Sequence, residues 1–308
     1  MAEGKSVPRI AVGPHGVAEW ACDAVRAGGG EVVDVSEAQG LVWTDFDTTE
    51  QLVATLASNP EIRWVQVPFS GVETYLPYID GMRTWTSAKG VFGGAVAELA
   101  LALLLAGMRH VGGYARENHW SEDHGRTLFG ARVTILGAGG IAQSLISMLQ
   151  PFDCHITVVR NRPGELVGVS EVVTTSQLNS ALSQADAIVM ALALTPQTQG
   201  IMGKMQFEAM QSHAWLVNVG RGKQIVTDDL VWALETGEIG GAALDVTDPE
   251  PLPTGHPLWS MPNCIITPHV GNTAEMVPPL LALRITENVR RFARGELLIG
   301  IVDLAVGY

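Results

Sequence analysis

The 308-residue chain carries 19 Lys and Arg against 32 Asp and Glu, a net charge of −13. An acidic balance of that size repels phosphate backbones and anionic lipid, so neither nucleic acid nor a membrane surface is expected as a partner. Cys22, Cys154 and Cys264 are far apart and outside any CxxC, which predicts a reducing compartment, no disulfide framework and no zinc site.

The length allows two domains with cores of their own. Residues 1–9 lack the apolar core of a signal peptide. The longest apolar stretch, residues 95–108, carries Glu98 and is too short to span a bilayer, so a cytoplasmic protein is expected.

In chain order, residues 9–12, 31–35, 41–44 and 64–68 read as strands, and residues 17–26, 50–56 and 72–79 as helices. Strands alternating with helices predict a parallel α/β layer. Ser70, Gly71 and Val72 follow a strand and precede a helix, a place where backbone N–H groups receive an anion such as a carboxylate; a plain βα turn is the alternative. Trp43 closes another strand and reads locally as core. Residues 89–94 read as a glycine-rich linker. The helix that follows, 95–108, is apolar nearly all round and is expected to be buried. Residues 109–127 are polar and carry His110, His119, His124 and Trp120. Their uneven spacing, with no cysteine or carboxylate to complete a tetrahedral set, argues for a solvated or interface segment rather than a metal site.

Residues 133–142, VTILGAGGIA, follow the G-x-G-x-x-G/A pattern between a strand and a helix (141–149). Gly137 makes the tight turn, Gly139 admits a pyrophosphate, and Ala142 is small enough for close helix–strand packing. The N–H groups of Gly140 and Ile141 then face the phosphates. The next strand, 155–160, ends in Arg160, Asn161 and Arg162, where an NAD site wants an acid for the ribose 2′-hydroxyl. Two guanidiniums suit a 2′-phosphate instead, which favours NADP over NAD.

The rhythm continues with strands at 172–174, 187–192, 214–219, 241–246 and 265–267 and helices at 176–183, 204–210 and 228–235, the last with Thr227 as candidate N-cap. Ligands of open parallel sheets sit at the carboxyl ends of strands. Arg221, Glu250 and His269 each lie just past such an end. Reduction of a 2-oxo acid needs a cation for the carboxylate and carbonyl, and a proton donor charged near neutral pH. Arg221 suits the first role. His269 suits the second, and Glu250 beside it favours the protonated ring and orients it.

The stretches VAELALALLLA (96–106), VTILGAGGIA (133–142), NVGRG (218–222), ALDVTDPEPLP (243–253) and TPHVGNT (267–273) resemble the D-isomer-specific 2-hydroxyacid dehydrogenases. The resemblance runs from about residue 41 to 295. It implies two doubly wound parallel-sheet α/β domains with a cleft between them: a flavodoxin-like substrate domain (1–93 plus 275–308) and a Rossmann dinucleotide domain (94–274). It puts the family's catalytic Arg, Glu and His on Arg221, Glu250 and His269, and its nicotinamide-amide contact on Asp245. The dinucleotide set becomes Gly137, Gly139, Gly140, Ile141, Arg160, Asn161, Arg162, Val219, Gly220, Asp245 and Gly271. The substrate set becomes Ser70, Gly71, Val72 and Arg221, with Trp43 where glyoxylate/hydroxypyruvate reductase-like members place a pocket residue. A homodimer is implied through the region after the 95–108 helix. Glu250, where formate dehydrogenases of the superfamily have Gln, argues against formate. The expected activity is NADP(H)-dependent reduction of a small 2-oxo acid, glyoxylate- or hydroxypyruvate-like. The rivals are a dinucleotide-sensing binding protein on the same fold, and a dehydrogenase using NAD and another acid.

Overall fold

The computed structural model describes residues 7–14, 18–45, 48–162 and 164–303. They divide between two units, Met1–Phe92 with Thr273–Tyr308, and Gly93–Asn272.

The first unit holds β1 (Arg9–Gly13), α1 (Glu19–Ala27), β2 (Glu31–Val32), β3 (Gly40–Trp43), α2 (Thr49–Ser58), β4 (Trp64–Gln66) and β5 (Thr84–Thr86). Its sheet runs β2-β1-β3-β4-β5 with every pair parallel, the flavodoxin-like order. β3 and β4 are buried at every residue, as strands covered on both faces must be. β5 is not among the expected strands, because three residues carry no periodicity of their own. The helix expected over 72–79 is also absent. A bend and turn lead instead to a single 3-10 turn, Leu76–Tyr78. An α-helix through this stretch would need an N–H at Pro77 to bond the carbonyl of Glu73.

The second unit holds α3 (Gly93–Met108), α4 (Val111–Tyr114), β6 (Arg132–Leu136), α5 (Gly140–Leu149), β7 (His155–Val159), β8 (Glu171–Val173), α6 (Leu178–Leu182), β9 (Ala187–Met190), α7 (Lys204–Ala209), β10 (Trp215–Asn218), α8 (Thr227–Thr236), β11 (Gly241–Leu244) and β12 (Cys264–Ile266). Its sheet runs β12-β11-β10-β9-β6-β7-β8, again all parallel. The order reverses between β6 and β9, the switch point at which such sheets bind ligands. Apolar residues of α3, among them Ala97, Ala100 and Leu104, share one core with Val133, Ile135 and Leu145 of β6 and α5. Thr227 is not the cap of α8. It lies inside the helix, and its hydroxyl donates to the Asp248 carbonyl at 2.6 Å.

The chain returns to the first unit in α9 (Val277–Arg294). Its buried stripe is Val277, Leu281, Ile285, Asn288 and Val289, at helical spacing. Asn288 is fully buried and fully used. Its amide nitrogen donates to Gln66 Oε1 (3.1 Å) and the Ile299 carbonyl (3.0 Å), and its oxygen accepts from the Ile299 N–H. Gln66 in turn accepts from the Thr86 hydroxyl, which accepts from Trp64 Nε1. A buried polar net satisfied this completely ties a helix late in the chain to strands early in it.

Candidate active site

The glycine turn sits at the carboxyl end of β6. Gly137 has φ +109°, and a Cβ there would lie 2.6 Å from the Ala191 carbonyl oxygen, so only glycine fits. Gly139 is the N-cap of α5, and a Cβ there would meet nothing within 4 Å. The turn therefore presents open space in front of the first N–H groups of α5, Gly140 and Ile141 among them, which have no partner inside a helix. A pyrophosphate fits that cradle in charge and in room. Gly93 closes the other side of α5, where a Cβ would come within 2.9 Å of Gly140, and Ala142 is fully buried against the sheet.

β7 ends at Val159, and the Arg160 N–H still pairs with the Val173 carbonyl. Asn161 and Arg162 are exposed. Neither Arg160 nor Arg162 has an ion-pair partner among the described residues. The Asn161 side chain accepts a hydrogen bond from the Thr175 hydroxyl.

The strand ends β10, β11 and β12 bring three chemical groups to one edge. Arg221 follows β10, and its Nη1 donates to the Gly220 carbonyl at 2.8 Å. Asn218, fully buried at the end of β10, accepts from the Gly220 N–H (3.0 Å) and donates to the Arg221 carbonyl (3.1 Å). Val219 is buried, its N–H on the Met190 carbonyl. The loop after Arg221 is packed on the loop after β11, since a Cβ on Gly222 would lie 1.9 Å from the Thr247 carbonyl oxygen. That second loop carries Glu250, and His269 Nδ1 stands 2.6 Å from Glu250 Oε1. Both side chains are half-exposed. An ionised carboxylate only accepts, so the imidazole proton belongs on Nδ1 and leaves Nε2 for proton exchange.

His269 has φ +53°, the left-handed region that a non-glycine residue rarely adopts. Asp245 holds it there. The Asp245 carbonyl accepts from the His269 N–H (2.9 Å). Its carboxylate, 3 % exposed, accepts from the Thr267 hydroxyl (2.6 Å), the Val270 N–H (2.9 Å) and the Gly271 N–H (2.9 Å). Such backbone strain costs on the order of 1–3 kcal/mol and persists where the surroundings over-determine it, as this carboxylate does. Oδ2 has one partner among these, which leaves it a lone pair for a ligand amide.

In the first unit, Ser70 is exposed, Gly71 is part-buried and Val72 is buried. The Ser70 hydroxyl donates to the Ala88 carbonyl at 2.9 Å, and the Ala88 N–H donates back to Phe69 at 2.7 Å. No helix starts behind this loop, so a carboxylate would meet its bare N–H groups without a helix terminus. Trp43 is 2 % exposed within the unit's core, beside Leu41, Val65 and Trp85. Its indole Nε1 is buried without a partner among the described residues.

Sequence reasoning missed Asn218 and Gln224. The signal available was a polar residue closing an apolar strand, and a lone amide three residues after Arg221. Neither signal says what the amide bonds to.

A doubly wound sheet with its glycine turn at the switch point, and an Arg, Glu and His at the neighbouring strand ends, defines a dinucleotide-dependent oxidoreductase domain. Residues 100–271 match the family model "D-isomer specific 2-hydroxyacid dehydrogenase, NAD binding domain". A Corynebacterium melassecola protein named for the proB 3′ region is 37 % identical over 295 residues, covering 92 % of this chain and 95 % of that one. The human glyoxylate reductase/hydroxypyruvate reductase is 37 % identical over 214 residues, 65 % of this chain and 64 % of the human one. The structure of a D-isomer-specific 2-hydroxyacid dehydrogenase from Xanthobacter autotrophicus Py2 in complex with NADPH and MES superposes with a TM-score of 0.85 at 26 % identity, covering 98 % of this chain and all of that one. The chain belongs to the D-isomer-specific 2-hydroxyacid dehydrogenase family. It is an NAD(P)-dependent oxidoreductase acting on the CH–OH group of its donor.

Proposed function

We propose that the chain is an NADP(H)-preferring reductase of small 2-oxo acids, glyoxylate- or hydroxypyruvate-like, that forms the D-hydroxy acid. The observation that carries this reading is the 2.6 Å pair of His269 Nδ1 and Glu250 Oε1 on the same sheet edge as Arg221. The name of the human relative supports the substrate class, and the NADPH bound to the Xanthobacter relative supports the cofactor.

The dinucleotide, when bound, supplies or accepts the hydride. Gly137, Gly139, Gly140 and Ile141 hold its pyrophosphate, with Val219, Gly220, Asp245 and Gly271 lining its nicotinamide end. Arg160, Asn161 and Arg162 take the 2′-phosphate through charge-assisted bonds. Arg221 grips the carboxylate of the 2-oxo acid as a fork and draws charge from its carbonyl. His269 Nε2 gives a proton to the carbonyl oxygen, and Glu250 stabilises the imidazolium before that transfer. In oxidation the same nitrogen takes the proton back. In the first unit, the backbone N–H groups of Ser70, Gly71 and Val72 are the candidates for a carboxylate, and Trp43 belongs to that unit's core. The working form is a homodimer in the cytoplasm. Val111, Trp120 and Phe129 support the dimer as large apolar side chains exposed between α3 and β6.

The test is initial rates with glyoxylate and hydroxypyruvate, each with NADPH and NADH. Turnover favouring NADPH, with the preference cut at least about ten-fold in Arg160→Ala plus Arg162→Ala, supports the reading; a single lost charge-assisted bond is worth ~1.5–3 kcal/mol. Turnover favouring NADH would reduce the two arginines to surface residues. Dinucleotide binding with no turnover on any 2-oxo acid would defeat the reading in favour of a sensor.

A further inference from the structure

Arg221 is gripped through its backbone at both ends. Asn218 Nδ2 holds its carbonyl, and Gln224 Oε1 accepts from its N–H at 3.1 Å. Gln224 is fully buried. Its amide nitrogen donates to two further carbonyls, Leu192 at 3.2 Å and Ala193 at 3.1 Å. These lie in the loop just after β9, and the preceding carbonyl, Ala191, is the one packed on the Gly137 turn. A single side chain thus joins the backbone of Arg221 to the loop that abuts the dinucleotide turn. The fold makes room for it: a Cβ on Gly220 would lie 2.5 Å from Gln224 Oε1. Only a primary amide offers one acceptor and two donors at this reach. Glutamate would set a carboxylate against two carbonyl oxygens.

We infer that Gln224 is a positioning residue for Arg221, setting the guanidinium against the substrate carboxylate while registering it to the dinucleotide turn. The inference rests on the reading of Arg221 as the carboxylate-holding group. Losing the amide takes that partner from the Arg221 N–H and the part-buried Leu192 carbonyl, leaves the Ala193 carbonyl to the Thr198 hydroxyl, and lets the arginine backbone shift. Displacements of about 1 Å at such a group cost up to ~10²-fold in rate.

Gln224→Met keeps the length of the side chain and removes all three bonds. Gln224→Asn is the milder variant, too short to reach both loops at once. Each is compared with the wild type in four measurements: kcat/KM for glyoxylate with NADPH, the Kd of NADPH, the Kd of oxalate for the NADPH-loaded protein, and Tm. Oxalate serves as an unreactive carboxylate probe. The expected result is a loss of about ten- to hundred-fold in kcat/KM, spread over KM and kcat, matched by weaker oxalate binding, with NADPH affinity held within about two-fold. Unchanged kcat/KM and oxalate affinity in a folded variant would overturn the inference. So would losses that run in parallel in NADPH affinity and Tm, which mark a merely structural amide. A wild type that binds oxalate yet reduces no 2-oxo acid would defeat the functional reading alone, and the oxalate affinities of the variants would then decide the role of Gln224. A wild type that binds no oxalate overturns both.

Discussion

His269 combines an unusual backbone with ordinary chemistry. Its φ of +53° aims the ring at Glu250, and the conformation is held by a carboxylate with three partners in the same turn. His269→Ala removes the proposed proton donor and keeps that carboxylate, so kcat should fall by ~10²–10⁴ with the Kd of NADPH little changed. Stopped-flow turnover and fluorescence titration check the two halves, and wild-type turnover would exclude His269 from the chemistry. The placement of Arg221, Glu250 and His269 at neighbouring strand ends was legible in the sequence because each stands just beyond an apolar run that ends a strand. The strain at His269 and the bonds of Asn218 and Gln224 were not legible. Both depend on which carbonyls the fold brings near, and spacing carries no information about that.

At the level of elements, the turn between β6 and α5 is where backbone and site meet. Gly137 is constrained twice, by its positive φ and by the Ala191 carbonyl 2.6 Å from any Cβ. Gly137→Ala should therefore weaken NADPH binding by at least about ten-fold and lower Tm as well, since a side chain forced into this region is strained whatever its polarity. Equilibrium titration and thermal melting read the two effects. Elements with a clean apolar period, β6 and α5 among them, were readable from sequence to within a few residues. The 3-10 turn at Leu76–Tyr78 and the three-residue β5 were not. One is decided by the missing N–H of Pro77, the other by pairing with β4, and neither has a local pattern to read.

At the scale of the whole molecule, two parallel sheets of five and seven strands account for every named strand. Among the described residues no helix is long and apolar enough to cross a membrane. The amino-terminal edge of the larger sheet, away from the strand ends that carry the site, has its own polar joint. Burial raises the pKa of Asp186, but the Arg132 N–H, the His213 ring and Arg126 outweigh it, and the net shift is downward. A carboxylate whose folded pKa lies below its unfolded one contributes stability above the unfolded value and loses it as pH falls through the folded one. Asp186→Asn should then lower Tm at pH 7 and approach the wild type in acid; equal deficits at both pH values would refute the linkage. The proposed dimer is tested by sedimentation. Trp120→Glu, at a fully exposed side chain, should shift a dimer toward monomer, whereas a wild type that sediments as a monomer ends that proposal.

The alternation of strands and helices, the glycine turn, the acidic balance and the placement of Arg221, Glu250 and His269 just past strand ends followed from sequence, because each rests on local periodicity or on chemistry proper to a residue type. Tertiary structure decided the rest. It set the strand orders of the two sheets, the anchoring of α9 through Asn288 and the grip of Asn218 and Gln224 on Arg221. These are contacts between residues distant in the chain or across a loop, and their energies depend on burial and mutual distance, which exist only once the chain has folded.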